Sequence, residues 1–175
     1  MYLTREEEAM LDGEHGPALQ KAMEILVALG KVYDAERMVP VTSAHISGVS
    51  YRACGDAGIS LLSELAAGGG KFKALTTLNP LSIPDEGWEK LGFPGNLASK
   101  QLGICRLFTR MGAGGGYTCH PYLVGNLPMP GQHVAWAESS AVCFANSVLA
   151  ARTNREGSIS ALAAGLAGRT PLYGY

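Results

Sequence analysis

Apolar residues recur at three- and four-residue spacing over Leu19, Ala22, Met23, Leu26 and Leu29, the stripe of an amphipathic helix. Pro17 fits the first turn of that helix, and Gly30 falls close to its expected end. Upstream, Thr4 and Glu7 stand at capping-box spacing, so a short acidic helix is expected from near Arg5 to before Gly13. The same periodicity returns in Ile59, Leu62, Leu65 and Ala66, with Asp56 as the expected cap and Gly68-Gly69-Gly70 as the stop. It returns once more in Leu97, Ile104, Leu107, Phe108 and Met111, with Asn96 as the cap and the Gly112 to Gly116 run as the stop. Further helices are expected from Ser140 to about Arg152 and from Ser158 to Ala167.

Between these stretches lie short runs bounded by turn residues, which predict strands over Met38 to Ile46, Phe72 to Leu78, Tyr117 to Cys119 and His133 to Ala137. Asn79 to Gly95 and Pro121 to Gly131 read as loops. Strand and helix alternate through most of the chain, which predicts an α/β domain, layered α/β/α, with a largely parallel sheet. At 175 residues the sequence suits one well-buried domain, residues 1–175, and it carries no internal repeat.

Charge removes several classes of partner. With 14 Lys and Arg against 15 Asp and Glu the net charge is -1, and no basic run restores locally the footprint that nucleic acid requires. No stretch reaches the length of an uninterrupted apolar membrane span, since Val134 to Ala151 is broken by Glu138, Ser139, Ser140, Asn146 and Ser147. Neither nucleic acid nor a membrane is therefore an expected partner. The acidic opening Met1-Tyr2-Leu3-Thr4-Arg5-Glu6-Glu7-Glu8 lacks the features of a signal peptide, so a cytoplasmic location is expected. The cysteines Cys54, Cys105, Cys119 and Cys143 are widely spaced and are expected as thiols. Only 17% of the residues are charged and 23 are glycine, so some of the surface is expected to be covered by a partner, a further domain or a ligand.

Ligands of parallel sheets collect beyond the carboxyl ends of the strands, which directs attention to four turns. They are Ser43 to Tyr51, Thr76 to Pro80, Thr118 to Tyr122 and Trp136 to Ser140, each combining small polar residues with Gly or Pro, or with a carboxylate. Ser47-Gly48-Val49-Ser50 could hold an anion on backbone N–H groups, or it could be an ordinary strand-to-helix loop. Glu138 could face a ligand or serve as a helix-start charge. Cys119 could be a nucleophile, a cluster ligand or a small buried side chain, whereas Cys105 and Cys143 fall inside expected helices. His15 and His133 read as surface or capping groups. The Gly112 to Gly116 run follows a helix and precedes a strand, the reverse of a dinucleotide fingerprint.

Taken in order, these segments resemble the large subunit of the aconitase X family, the branch of the aconitase superfamily that includes phosphomevalonate and cis-3-hydroxyproline dehydratases. The resemblance is carried by the opening Met1 to Glu8, Gly16 to Met23, Ser47 to Tyr51, Thr76 to Pro80, Cys119-His120-Pro121-Tyr122-Leu123-Val124-Gly125-Asn126, Trp136 to Ala141 and Ala151 to Gly157, and so covers essentially the whole chain. It implies an aconitase-like fold and an iron–sulfur hydro-lyase, with a cluster, [4Fe-4S] in type, held by three cysteines of which Cys119 is one. It implies substrate contacts from Gly48, Val49 and Ser50, from Asn79 and Pro80, and from Glu138 and Ser139. The turn Ser47 to Tyr51 is similar to the type acting on a small phosphorylated hydroxy acid. The implied reaction is dehydration of (R)-5-phosphomevalonate to trans-anhydromevalonate 5-phosphate in an archaeal-type mevalonate pathway; cis-3-hydroxy-L-proline is the alternative substrate. His120 and the glycine run before Tyr117 depart from the family pattern. The remaining cluster cysteines are expected in a C-terminal part of the large subunit beyond Gly174-Tyr175, and a small swivelling-domain subunit is expected to close the site. A non-catalytic binding or assembly module is the further alternative.

Overall fold

The computed structural model describes residues 1–114 and 116–174, so Gly115 of the glycine run and Tyr175 lie outside the described residues. Thr4 caps helix α1 (Arg5–Leu11): its hydroxyl accepts from Glu7 N–H, and the Glu7 carboxylate accepts from Thr4 N–H at 2.8 Å, completing the expected capping box. Helix α2 (Pro17–Val32) buries Ala18, Ala22, Met23 and Leu26 on one face. It continues through Gly30, where the missing side chain leaves room for Met1 and Pro171.

The expected strand from Met38 to Ile46 is two strands. Strand β1 (Met38–Pro40) pairs antiparallel with β6 (Arg169–Pro171), while β2 (Ser43–Ile46) enters a separate sheet. The switch falls where Val41 N–H still bonds Gly168 O at 3.0 Å but Thr42 N–H turns to His133 O at 2.9 Å. The main sheet has the order β3-β2-β4-β5, with β3 (Leu75–Leu78), β4 (His133–Trp136) and β5 (Arg152–Thr153), and all its pairings are parallel.

Register sorts the side chains. Ala44 lies opposite Thr76 and Ala135, and His45 lies opposite Thr77 and Trp136. Because successive residues point to opposite faces, Ala44, Ile46, Thr76, Leu78 and Ala135 share one face, and Ser43, His45, Thr77, Val134 and Trp136 share the other. Helix α6 (Ser158–Ala167) packs on the first face and against α2, with every residue from Ser160 to Ala167 buried. The approach is so close that a Cβ on Gly165 would sit 3.0 Å from the Phe72 ring, 3.1 Å from Thr76 Oγ1 and 3.2 Å from Ala44 Cβ. Helices α3 (Tyr51–Ala67) and α4 (Gly95–Met111) pack on each other and contribute Leu62, Leu65, Ile104, Phe108 and Met111 to the same core. The second face carries a smaller cluster of Val134, Trp136, Ala141, Ala145 and Ala151, built with α5 (Ser139–Ser147). The result is the expected layered α/β/α arrangement, thick on one face and thin on the other.

Other boundaries also differ from expectation. Helix α3 is capped by Ser50, whose hydroxyl accepts from Ala53 N–H, and not by Asp56; it breaks at Gly55 and resumes beyond it. Phe72 to Ala74 form no strand because their N–H groups bond the carbonyls of Met111 and Gly165 at helix ends. Helix α4 starts at Gly95 behind Pro94, so Asn96 sits inside its first turn. Tyr117 makes a single parallel bridge to Leu78 in place of a strand over Tyr117 to Cys119. Helix α5 ends at Ser147, since Ala150 takes a left-handed φ of 52° and turns Arg152 and Thr153 into β5. His133 lies in β4, half-buried, and not at a cap. Among the described residues no helix is long and apolar enough to cross a membrane.

Candidate functional site

Backbone hydrogen bonds draw the four turns to one edge of the sheet. Asn79 N–H bonds Ile46 O, Ala137 N–H bonds His45 O and Thr118 N–H bonds Leu78 O, each at 2.9 Å. The segments after β3, β2 and β4, together with the one that bridges β3, therefore leave the sheet side by side at its carboxyl edge. This is where a parallel sheet offers a crevice.

Three side chains meet there. The Asn79 amide donates to Glu138 Oε2, and its Oδ1 faces Cys119 Sγ at 3.9 Å. The Cys119 thiol is pushed above its ordinary value, first by burial and then by the Glu138 charge. Glu138 precedes α5 without capping it, so its carboxylate serves the Asn79 contact in place of the first helical turn. Ser139 opens α5 exposed, and Pro80 is exposed beside Asn79.

The turn from Ser47 to Ser50 borders the same edge. Gly48 holds φ +69°, a value that side chains with a Cβ rarely adopt, and Ser47 Oγ lies 3.1 Å from Ser158 Oγ at the start of α6. Val49 is buried, and its carbonyl accepts from Gln101 Nε2 at 3.2 Å, while Gln101 Oε1 accepts from Tyr51 N–H at 3.0 Å. Gln101 is fully buried on α4 and pins the turn from below. At the surface Lys100 Nζ donates to Asp56 and to the Tyr51 hydroxyl, both at 2.7 Å. That ammonium holds Asp56 below the ordinary carboxylate range, and Asp56 raises Lys100 in return. An apolar groove of about 660 Å³ opens on the far side of this turn, between α3 and the start of α6, and does not reach Asn79, Cys119 or Glu138.

At the same edge, where Ala137 N–H bonds its carbonyl, stands His45, a residue to which the sequence assigned no role. His45 is fully buried, its Nδ1 2.9 Å from Thr77 Oγ1, which also accepts from Asn126 Nδ2 at 2.9 Å. Burial lowers His45 to about 4, against smaller upward effects of the Glu138 charge and of the Thr77 backbone. The Trp136 ring stands edge-on to it, and the indole N–H donates to Ser43 Oγ at 3.2 Å. Asn126 comes from the loop over the thin face, which Tyr122 anchors by stacking on Phe144. For Gln101 the available signal was an amide at a core position between Ala98 and Ile104. His45 offered only its place next to the last residue of a strand.

As a place for a metal cluster, the edge has a partial donor set. Cys119 is the one cysteine of the three-residue group at the edge; Cys105 is buried in α4, Cys143 is exposed on α5 and Cys54 lies in α3 beside the apolar groove. Among the described residues no three His, Cys, Asp or Glu come together as a metal site. Among the described residues the edge therefore offers a single cysteine donor, Cys119, and no complete set of metal ligands.

A parallel sheet wound in both directions from β2, with small polar residues gathered at its carboxyl edge, defines a layered α/β domain. The chain belongs to the aconitase X family, whose first-domain profile, "Aconitase X first domain", matches residues 1–175. It is 53% identical over its whole length to the phosphomevalonate dehydratase large subunit of Methanothermobacter thermautotrophicus, covering 44% of that protein. It is 37% identical to the cis-3-hydroxy-L-proline dehydratase of Pseudomonas aeruginosa, over 96% of this chain and 29% of that protein. The crystal structure of Thermococcus kodakaraensis aconitase X in its holo-form superposes with a TM-score of 0.91 at 52% identity, over 99% of this chain and 43% of that one. The chain spans less than half the length of these relatives.

Proposed function

We propose that this chain is the first domain of the large subunit of an iron–sulfur hydro-lyase that dehydrates (R)-5-phosphomevalonate to trans-anhydromevalonate 5-phosphate. The observation that carries the reading is the junction of Asn79, Glu138 and Cys119 at the carboxyl edge, beside the turn of Gly48, Val49 and Ser50. The choice of substrate is supported by identity: 53% and 51% to two archaeal phosphomevalonate dehydratase large subunits, against 37% and 36% to two hydroxyproline dehydratases.

In this reading the N–H groups and hydroxyls of Gly48 to Ser50 receive an anionic group of the substrate, a role suited to a turn that leads into a helix. Asn79 and Glu138 orient the reacting end by hydrogen bonds, with Pro80 and Ser139 lining it on either side. Cys119 supplies one thiolate to a [4Fe-4S] cluster whose other cysteines come from the C-terminal part of the large subunit. When bound, such a cluster provides a Lewis-acidic iron for the departing hydroxyl. Cluster binding requires Cys119 to lose its proton, which burial and the Glu138 charge both oppose. A small swivelling-domain subunit closes the edge and keeps bulk water from the site. Four cysteines without disulfides suit a cytoplasmic setting.

The test is anaerobic reconstitution of this chain with the rest of the large subunit and the small subunit, followed by visible absorption and a dehydratase assay. The wild-type assembly is expected to carry a cluster and turn over 5-phosphomevalonate, and Cys119→Ala is expected to lose both while keeping its far-UV dichroism. A Cys119→Ala assembly that keeps its cluster overturns the ligand assignment, and turnover of cis-3-hydroxy-L-proline in place of phosphomevalonate overturns the substrate.

A further inference from the structure

Beside the last described residue of the chain, two buried acceptors have no donor. Asn154 and Glu156, 1% and 4% exposed, follow β5 and meet the end of β6. Thr170 Oγ1 donates to Glu156 Oε1 at 2.7 Å, and Asn154 Nδ2 donates to the same oxygen at 3.2 Å and to Pro171 O at 2.9 Å. Those acceptors fix the orientation of the Asn154 amide, so its Oδ1 is turned away from them. Asn154 Oδ1 and Glu156 Oε2 are both buried without a hydrogen-bond partner among the described residues. Gly174, at φ +77°, passes over the first of them: a Cβ there would lie 3.9 Å from Asn154 Oδ1.

A buried carboxylate oxygen without a donor is costlier than an unpaired amide oxygen, because charge as well as a lone pair is left uncompensated. No ion pair of the described residues includes Glu156. Arg169 adjoins Thr170 in β6, but successive strand residues point to opposite faces, and its guanidinium lies with Glu7 and Glu6. The missing donor therefore comes from outside the described residues. More than half of each large-subunit relative lies outside the part that this chain matches, and the matching profile is that of a first domain.

We propose that the polypeptide following Gly174 in the large subunit folds back over Asn154 and Glu156 and seats a Lys or Arg side chain on the Glu156 carboxylate. This rests on the reading of the chain as the first domain of a longer subunit, and not on the assigned substrate. Asn154 Oδ1 accepts an N–H of the same segment. The contact also supports the candidate site, because Gly157 and Ser158 follow directly and Ser158 Oγ lies 3.1 Å from Ser47 Oγ, beside the Gly48 turn.

The test places one substitution in two contexts and reads local opening by amide hydrogen exchange from Arg152 to Ala167. In the 175-residue chain, which lacks the cation, Glu156→Gln is expected to slow exchange by removing an unpaired buried charge. In the complete large subunit the same change is expected to accelerate it about tenfold, the loss of one hydrogen bond to a charge. Faster or unchanged exchange in the short variant would mean a carboxylate already satisfied, and slower or unchanged exchange in the long variant one still unpaired; either overturns the proposal. Lys and Arg residues beyond position 175 are then replaced by Met one at a time. One replacement is expected to accelerate exchange in wild type and to have no effect in the Glu156→Gln background, and the absence of any such residue overturns the proposal. Sodium or potassium chloride, set against tetramethylammonium chloride at equal ionic strength, is expected to leave exchange in the 175-residue chain unchanged; protection by the small cations would make the donor an ion and overturn the segment. A subunit that ended at Tyr175 would sink the first-domain reading itself, whereas the exchange outcomes decide on Glu156 alone.

Discussion

The Asn79 amide is oriented by two neighbours at once, its nitrogen donating to Glu138 Oε2 and its oxygen facing Cys119 Sγ. β3 and β4 lie on either side of β2, so this one side chain bridges the turns that follow those two strands over the end of β2. The carboxylate, the amide and the thiol consequently form one chain, and a change at Glu138 is felt at Cys119.

Glu138→Gln should make Cys119 more acidic. Burial and the Glu138 charge both raise the thiol, and the substitution removes the second effect while leaving the first. Alkylation by iodoacetamide at pH 8, followed residue by residue by mass spectrometry, should accelerate at Cys119 by roughly threefold and stay unchanged at the exposed Cys143. An equal or slower rate at Cys119 would show that the charge does not reach the sulfur.

His45 should make the fold sensitive to mild acid. Its folded value of about 4 lies below the 6.5 of an unperturbed histidine, so between those values the unfolded chain binds a proton that the folded chain refuses. Stability from this residue is complete above pH 6.5 and is lost as the pH falls toward 4, by about 3 kcal/mol across the window. Urea unfolding at pH 7.5 and 4.5 should show a larger loss for wild type than for His45→Gln, the difference being about 2 to 3 kcal/mol. Identical pH dependence in the two proteins would place the imidazole in contact with water.

Long apolar periodicity made α2 and α4 legible, because the stripes of Leu26 and Ile104 report a buried face whatever lies against it. The short strands were legible in kind but not in extent. Where β1 stops and β2 starts depends on Thr42 choosing His133 as its partner, and Phe72 to Ala74 are claimed by Met111 and Gly165, choices made by residues far off in sequence. The turns carrying Gly48, Asn79, Cys119 and Glu138 stood out because small polar residues follow a strand there. His45, Gln101 and Asn126 did not, since each gains its role from a partner between 32 and 82 residues away.

Arg169→Met should be costly and Glu7→Gln should relieve it. Glu7 is buried, its carboxylate both capping Thr4 N–H and receiving Arg169 Nη1 at 2.7 Å, which ties α1 to β6. Removing the guanidinium leaves a buried carboxylate without its cation, a loss of about 3 kcal/mol. In Glu7→Gln/Arg169→Met the neutral amide can still accept from Thr4, so denaturant unfolding should return at least about 1 kcal/mol of that loss. A double variant no better than Arg169→Met would mean that packing, not charge, sets the cost.

Gly48→Ala should be destabilising for two separable reasons. The residue sits at φ +69°, which costs an L-amino acid about 1 kcal/mol, and its new methyl would lie 2.7 Å from Ser158 Oγ. Ser158 can yield by rotating its side chain, but only by giving up its 3.1 Å contact with Ser47, worth about 1 kcal/mol more. Gly48→Ala should therefore lower unfolding free energy by about 2 kcal/mol in wild type and by about 1 kcal/mol in a Ser158→Ala background, where only the backbone cost remains. Equal costs in the two backgrounds would show that α6 does not press on the turn.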